Sequence, residues 1–298
     1  MADLPQPPRA SGVLSLVGTP IGNLSDASPR ALETLGDADV ILCEDTRVTS
    51  KLCARFSIHT PLERCDENVI AERVPSVLAR LASGARVAFV SDAGMPCVSD
   101  PGQRLVDAVL DQGLRVEVVP GPSAVSSALA LSGLSSERFL FEGFLPRKAS
   151  EQRSTLEALS SVPATLVIYE SPRRVAKTLA AVAAVCPLRR VALVRELTKV
   201  HEEVVRARAQ ELADAIAARG EVKGECVVVV EAPGQDELAA RRSGAREGED
   251  RRGVDDLIAE GLAQGTPKSA LAREVARASG GSRSAVYARI VELSREGR

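Results

Sequence analysis

The sequence predicts an α/β protein with two α/β lobes, followed by a small all-helical C-terminal domain. Short apolar runs alternate with helical stretches between residues 13 and 230, as in sheets that are covered by helices. The predicted strands are Val13 to Val17, Val40 to Cys43, Val87 to Val90, Val116 to Val119, Thr165 to Tyr169, Val191 to Val194 and Cys226 to Val230. Capping side chains or first-turn prolines indicate helix starts at Ser28-Pro29, Asp100-Pro101, Pro122-Ser123 and Ser171-Pro172.

Five segments make up the predicted organisation. They are a disordered N-terminal arm (1–12), an N-terminal α/β lobe (13–120), a C-terminal α/β lobe (121–232), a polar linker (233–252) and a helix-turn-helix-like tail (253–298). The lobe boundary is placed at Val119-Pro-Gly-Pro122 because Pro and Gly stiffen a crossing between lobes. The linker is predicted from its mixed charge, its glycines and its lack of apolar periodicity.

The tail is predicted to contain three short helices, because apolar residues repeat at helical spacing from Val254 onward. The stretch from Thr266 to Arg289 resembles a helix-turn-helix, with Ser282 as the cap of its second helix. Nine Lys and Arg residues against six Asp and Glu between 251 and 298 give a net charge of +3. Two interpretations stay open: contact with nucleic acid, or a role in stability and partner docking.

The composition restricts the possible functions. A net charge of −2 gives no overall field for a polyanion, so nucleic-acid contact requires a local basic surface. Aromatic residues make up 2%, which argues against the stacking sheet of an RNA-recognition domain. Six cysteines without a Cys-x-x-Cys pair and two histidines argue against a zinc site or a His-based triad, so no metal is expected.

The cysteine pattern also indicates reduced thiols, as in the cytoplasm. The N-terminal stretch lacks the apolar core of a signal peptide, and no apolar run reaches the roughly 18 residues of a membrane span. We therefore expect a soluble cytoplasmic protein with no membrane partner.

Three loops that follow predicted strands are candidates for a ligand site. They are Gly18 to Gly22, Ser91 to Gly102 and Pro120 to Ala124, all rich in Gly, Pro and small residues. Strand-end loops of open α/β sheets bind ligands, so three loops of one lobe can meet over one crevice. The first loop lacks the third glycine of Gly-x-Gly-x-x-Gly and the lysine of a P-loop, which argues against NAD and ATP. The alternative is that all three are structural turns.

Eight motifs, read in order, resemble those of the tetrapyrrole methylase superfamily. They are VGTPIGN (17–23), EDTR (44–47), SDAGMP (91–96), PGPSA (120–124), FEGFLP (141–146), YESPRR (169–174), RELTK (195–199) and KGE (223–225). Within the superfamily they are similar to the branch that methylates a cytidine ribose 2′-oxygen in small-subunit 16S rRNA. The resemblance covers about Val13 to Glu231, and the tail is similar to a helical extension of that branch.

The resemblance implies that S-adenosylmethionine is held, folded, in a cleft between the two lobes. The residues implied to line this cofactor site are Pro20, Ile21, Ala93, Gly94, Met95, Val98, Ser123, Ala124, Tyr169 and Glu170. Met95 departs from the branch, which usually has a threonine there, so a thioether replaces a hydroxyl. The segment Arg64 to Asn68 lacks the histidines of the branch, so no role that depends on them is carried over.

The implied reaction is methyl transfer to a ribose hydroxyl, which must lose a proton. We predict Glu170 and Lys199 as the base or its orienting partner, with capping of the following helix as the alternative role of Glu170. The predicted substrate-binding residues, whose arginines suit phosphate oxygens, are Glu44, Asp45, Arg47, Arg173, Arg174, Arg195 and Glu196.

The implied partners are 16S rRNA within the small ribosomal subunit and a second copy of the chain in a homodimer. Two other functions stay open. A C-methyltransferase of corrin precursors would share the fold, but would more often carry Gly-Asp-Pro in place of SDAG and would have no basic tail. A helix-turn-helix regulator would bind duplex DNA with strong salt dependence and would transfer no methyl group.

Overall fold

The computed structural model describes residues 12–279 and 282–296 of the chain. They form two compact units that divide between Ala232 and Pro233. The predicted arm at 1–12 lies, apart from Gly12, outside the described residues. None of the helices in the described ranges combines the length and the apolar character that a bilayer crossing requires.

The first lobe is a fully parallel five-stranded sheet with helices on both faces. Its strands are β1 (Val13–Val17), β2 (Val40–Cys43), β3 (Leu62–Arg64), β4 (Arg86–Val90) and β5 (Arg115–Val119), in the order β3-β2-β4-β1-β5. Its helices are α1 (Pro29–Gly36), α2 (Thr46–Arg55), α3 (Ile70–Ala82) and α4 (Gln103–Asp111). β2 and β4 are apolar on both faces because α3 and α4 cover one side of the sheet and α1 and α2 the other. All five carboxyl ends, and the loops after them, therefore lie at one edge.

The second lobe is a mixed five-stranded sheet. Its strands are β6 (Phe139–Phe144), β7 (Thr165–Glu170), β8 (Arg190–Arg195), β9 (Glu203–Arg208) and β10 (Cys226–Val230), in the order β6-β7-β10-β8-β9. Its helices are α5 (Ala124–Ser132), α6 (Ala149–Leu159), α7 (Val175–Val185) and α8 (Ala209–Arg219). One face of this sheet packs against α5 and against Ile21 from the first lobe, so the two lobes share apolar contacts.

The α/β prediction is confirmed, and the seven predicted strands are present to within one residue at each end. Three strands of the structure, β3, β6 and β9, were not predicted. All three lie at sheet edges, where one side of the strand has no neighbour. Charged side chains interrupt the apolar run in β3 and β9, and Glu142 and Gly143 interrupt it in β6, which removes the pattern used for prediction.

Two of the four predicted helix starts agree with the structure. α1 begins at Pro29, where the Ser28 hydroxyl accepts the amide of Ala31 at 3.1 Å, and Ser123 is the N-cap of α5. α4 begins only after Gly102, whose φ of +131° is not helical. α7 begins at Val175, three residues after the predicted proline, because a turn from residue 171 to 174 precedes it.

The second unit contains, in its described part, the helices α9 (Gln235–Ala263), α10 (Lys268–Ser279) and α11 (Arg283–Glu296). Ile258, Leu271, Val275, Val286 and Ile290 form its core. The segment predicted as a polar linker, 233–252, begins where the chain divides into its two units, and α9 begins at Gln235 and includes most of it. Ala, Arg and Glu favour a helix even where no apolar stripe requires one.

Candidate active site

Three loops at the carboxyl edge of the parallel sheet converge. We call them the glycine loop (18–22, after β1), the aspartate loop (91–102, after β4) and the proline loop (120–123, after β5). The amide of Thr19 donates to the carbonyl of Gly94 at 2.9 Å, and the amide of Gly94 donates back at 3.1 Å. The amide of Gly121 donates to Sδ of Met95 at 3.3 Å. These bonds join all three loops. The thioether of Met95, which stands where the branch usually has a threonine hydroxyl, accepts a backbone hydrogen bond from the proline loop.

The glycine and proline loops approach so closely that neither has room for a side chain. A Cβ atom at Gly18 would lie 2.6 Å from the nitrogen of Gly121, and one at Gly121 would lie 2.7 Å from the carbonyl carbon of Gly18. Real Cβ atoms essentially never come within 3.0 Å of another heavy atom. The two positions therefore require glycine for space.

A cavity of about 470 Å³ lies between these loops and the second lobe. The predicted cofactor residues that line it are Ile21, Ala93, Gly94, Met95, Val98, Ser123, Ala124, Tyr169 and Glu170. Pro20, which was also predicted, precedes Ile21 and is not part of the lining. The lining residues that sequence reasoning did not assign to the site are Asp92, Ser99, Asp100, Phe144, Ser171, Pro172, Glu225, Cys226 and Val227.

Three carboxylates line the cavity from the first lobe: Glu44, Asp92 and Asp100. Burial, followed by the charges of Asp92 and Asp100, raises the pKa of Glu44 above its ordinary value. Burial also raises the pKa of Asp92 and of Asp100. Asp92 is held in place by a hydrogen bond of 3.0 Å from the amide of Asp45. Crowded, partly buried carboxylates make this wall negative and favourable for a cation.

Sequence reasoning missed Asp92 and Asp100 as site residues, although both lie in the SDAGMPCVSD stretch. That loop was interpreted through its small residues. The signal that could have found them was the presence of two aspartates in one loop after a buried parallel strand, where ligands bind.

Glu170 is anchored inside the second lobe. Its side chain is 0% exposed, and Oε1 accepts the amide of Ser171 at 2.7 Å. Oε2 accepts the hydroxyl of Thr178 at 2.6 Å and lies 3.4 Å from the guanidinium of Arg174. The hydroxyl of Thr178 accepts in turn from Nε2 of Gln152 at 2.9 Å. These contacts favour a positioning role for Glu170 over that of a base.

Lys199 lies in the turn between β8 and β9; it is not part of the cavity lining, although its partner Glu225 is. Its Nζ donates to Oε1 of Glu196 at 2.9 Å and to Oε2 of Glu225 at 3.0 Å. Burial disfavours the charged amine, but the two carboxylates outweigh burial and hold the pKa of Lys199 above its ordinary value. A lysine that acts as a base needs a lowered pKa, so the geometry argues against that prediction. The turn instead packs on the glycine loop, since a Cβ at Gly22 would lie 2.6 Å from Cγ of Lys199.

Two of the arginines predicted to bind substrate are exposed. Arg47 lies in the first turn of α2, and the carboxylate of the N-cap Asp45 accepts both its amide at 2.8 Å and its guanidinium at 2.5 Å. These hydrogen bonds lower the pKa of Asp45 to about 2. The side chain of Arg47 is 87% exposed, and Arg173 is exposed as well. Both can reach an anion from solvent.

The other two predicted arginines have partners within the protein. Arg174 donates to the carbonyl oxygens of Leu145 and Pro146 at 2.8 and 3.1 Å. Arg195 is 15% exposed, and its Nε lies 3.3 Å from a carboxylate oxygen of Glu203. We therefore assign both to the structure of the second lobe.

A parallel lobe and a mixed lobe that share one acidic, loop-lined cavity define a two-lobed α/β protein with its ligand site at the edge of the parallel sheet. The sequence matches the model of the Tetrapyrrole (Corrin/Porphyrin) Methylases over residues 13–213, and the chain belongs to this family.

Known proteins are similar to this chain in sequence and in fold. The Ribosomal RNA small subunit methyltransferase I of Mesorhizobium japonicum is 46% identical over 281 residues, which are 94% of this chain and 92% of that protein. A crystal structure of diphthine synthase has a TM-score of 0.58 at 18% identity and covers 74% of this chain and 90% of its own. Uroporphyrin-III C-methyl transferase from Thermus thermophilus, complexed with S-adenosylhomocysteine, has a TM-score of 0.53 at 20% identity, with 74% and 96% covered. At such identities the two structures establish the fold.

Proposed function

We propose that this protein transfers a methyl group from S-adenosylmethionine to the 2′-oxygen of a cytidine ribose in 16S rRNA of the small ribosomal subunit. The observation that carries the proposal is 46% identity, across 94% of the chain, to a ribosomal RNA small subunit methyltransferase I. The choice of a cytidine 2′-oxygen rests on the eight ordered sequence motifs. The relatives do not favour a corrin methyltransferase or a DNA-binding regulator.

The cavity fits S-adenosylmethionine in size and in charge. Its volume of about 470 Å³ is that of a small-molecule site. Ile21, Val98 and Ala124 supply apolar surface, and the carboxylates of Glu44 and Asp92 complement a sulfonium cation. When bound, S-adenosylmethionine supplies an activated methyl group.

Glu44 is the proposed base for the ribose hydroxyl. Its carboxylate lines the cavity, and its raised pKa brings it closer to the range in which a carboxylate removes a proton effectively. The charge of Asp92 contributes to that raised pKa. The proton passes from the 2′-hydroxyl to a carboxylate oxygen of Glu44, which leaves the ribose oxygen free to accept the methyl group.

The RNA contacts belong to the same proposal. The exposed guanidinium groups of Arg47 and Arg173 suit phosphate oxygens. The tail at 253–298 is proposed to add basic surface for RNA. An assembled small subunit as substrate, a homodimer and a cytoplasmic location complete the proposal.

Labelled S-adenosylmethionine tests this function. It is incubated with the protein and with small ribosomal subunits that lack the modification, and separately with protein-free 16S rRNA. Nuclease mapping is expected to locate the label on one cytidine. Label on a corrin precursor in place of RNA, or salt-dependent binding of duplex DNA without any transfer, would contradict the proposal.

A further inference from the structure

Phe144 is an exposed aromatic side chain in the wall of the cavity. It ends β6, lines the cavity together with Tyr169 and is 58% exposed. Aromatic residues make up only 2% of the chain, and the other exposed aromatic side chains in the described ranges, Phe139 and Tyr287, lie outside the lining. Core packing does not account for a ring that is left in water beside a ligand site.

A β-bulge turns Phe144 toward the cavity. Along β7, Phe141 lies opposite Val167 and Phe144 lies opposite Tyr169, so that β6 contains one extra residue between them. Side chains alternate between the two faces of a strand, so without this insertion Phe144 would face away from Phe141. With it, both rings pack edge-on against Tyr169, at centroid distances of 4.8 and 5.7 Å.

Contacts on both sides of Phe144 hold it in this position. Gly143 has a φ of +74°, and a Cβ there would lie 3.1 Å from Oγ of Ser99 in the aspartate loop. On the other side, the guanidinium of Arg174 binds the carbonyls of Leu145 and Pro146. The protein itself therefore fixes the chain around Phe144.

Basic side chains accompany the ring. Arg147 and Lys148 follow it in exposed positions, and Lys148 pairs with Glu151 at 3.2 Å. Arg173 is exposed in the neighbouring loop, which Arg174 joins to this one. An aromatic ring flanked by cations suits a ligand that has both a flat base and a phosphate backbone.

We infer that Phe144 is the stacking platform for the base of the nucleotide that is methylated. This inference rests on the proposed function. The base is bonded to C1′, the neighbour of the carbon that carries the reacting oxygen, so it lies beside the cavity when that oxygen is inside. A base in this position has left its own stack, and an aromatic face replaces the lost contact. Tyr169 covers at most one face of Phe144, and the other accepts the base.

Three substitutions at Phe144 and one control test the inference. Phe144→Ala removes the ring, Phe144→Leu keeps apolar bulk without an aromatic face, and Phe144→Tyr keeps the face. Phe139→Ala, at the other end of β6 where the ring is 49% exposed, is the matched control. The measurements are kcat and KM for small ribosomal subunits that lack the modification, and the Kd for S-adenosylhomocysteine from calorimetry.

We expect the Ala and Leu variants to lose about tenfold to a hundredfold in kcat/KM, mainly through KM for the subunit. The Tyr variant and the control stay near wild type, and in the Ala and Leu variants the loss of kcat/KM for the subunit exceeds any change in the Kd for S-adenosylhomocysteine. Three results would overturn the inference: unchanged kcat/KM in the Ala variant, wild-type behaviour in the Leu variant, or a loss of S-adenosylhomocysteine affinity as large as the loss of kcat/KM. If the wild-type protein methylates no RNA, the proposed function is contradicted, and this result is known before any variant is compared.

Discussion

Gly18 and Gly121 touch backbone to backbone, with space for a Cβ atom at neither position. They follow β1 and β5, which are paired neighbours in the parallel sheet. This contact brings the glycine and proline loops together and thereby shapes one side of the cavity. If this contact between Gly18 and Gly121 is lost, the two loops can no longer form a single site.

Substitution Gly18→Ala is expected to force the two loops apart. The new methyl group would lie 2.6 Å from both the nitrogen of Gly121 and Sδ of Met95. Overpacking of this kind costs about 1–3 kcal/mol, measured as a lower free energy of unfolding in denaturant. Methyl transfer should fall along with it.

The control for this substitution is Gly36→Ala. A Cβ at Gly36, the last residue of α1, meets no atom within 4 Å. Stability and activity should therefore be unchanged or slightly improved. Equal behaviour of the two variants would show that the contact between Gly18 and Gly121 does not matter.

Substitution Thr178→Val tests the anchoring of Glu170. The two side chains have similar shapes, but valine leaves the buried carboxylate of Glu170 and the amide of Gln152 without a shared hydroxyl. We expect a loss of about 1–3 kcal/mol in the free energy of unfolding. Thr34→Val, at an exposed hydroxyl on α1, is the control and should cost far less. Equal losses in both variants would contradict the proposed network.

Substitution Glu44→Gln tests the base by its pH dependence. A base acts in its ionised form, and the raised pKa of Glu44 keeps it protonated up to a higher pH than an ordinary glutamate. The rate of methyl transfer should therefore rise with pH through this pKa in wild type. The variant should lose the rise and about 100-fold or more of kcat. A pH profile and rate that match those of the exposed control Glu33→Gln would exclude Glu44 as the base.

Substitution Lys199→Arg separates a structural role from a chemical one. Arginine keeps the positive charge between Glu196 and Glu225 and stays protonated at any working pH. We expect it to preserve most of kcat, whereas Lys199→Met leaves both carboxylates unpaired and lowers stability. Loss of activity in the arginine variant, with an unchanged melting temperature, would restore Lys199 as a base.

The sequence predicted those features that depend on a single chain segment, such as a strand or the loop that follows it. β2 and β10 are apolar because they are central strands, and the loops at Gly18, Gly94 and Gly121 follow strands that could be located from their apolar runs. The convergence of these loops followed from parallel strand direction. Similar reasoning could have included Asp92 and Asp100.

Features that depend on two segments could not be predicted. Phe144 faces the cavity only because a bulge shifts the pairing of β6 with β7, and a bulge cannot be identified from alternation in β6 alone. The roles of Lys199 and Glu170 depend on partners that are distant in sequence or on another element, such as Glu225 and Thr178. The pKa of Glu44 likewise depends on the aspartate loop.

The central claim is that the converging loops form a site for a sulfonium donor. The most direct test is a calorimetric titration of the wild-type protein and of Gly18→Ala with S-adenosylmethionine. We predict saturable binding to wild type and a large loss of affinity in the variant. No binding to wild type, or equal binding to both proteins, would contradict the claim.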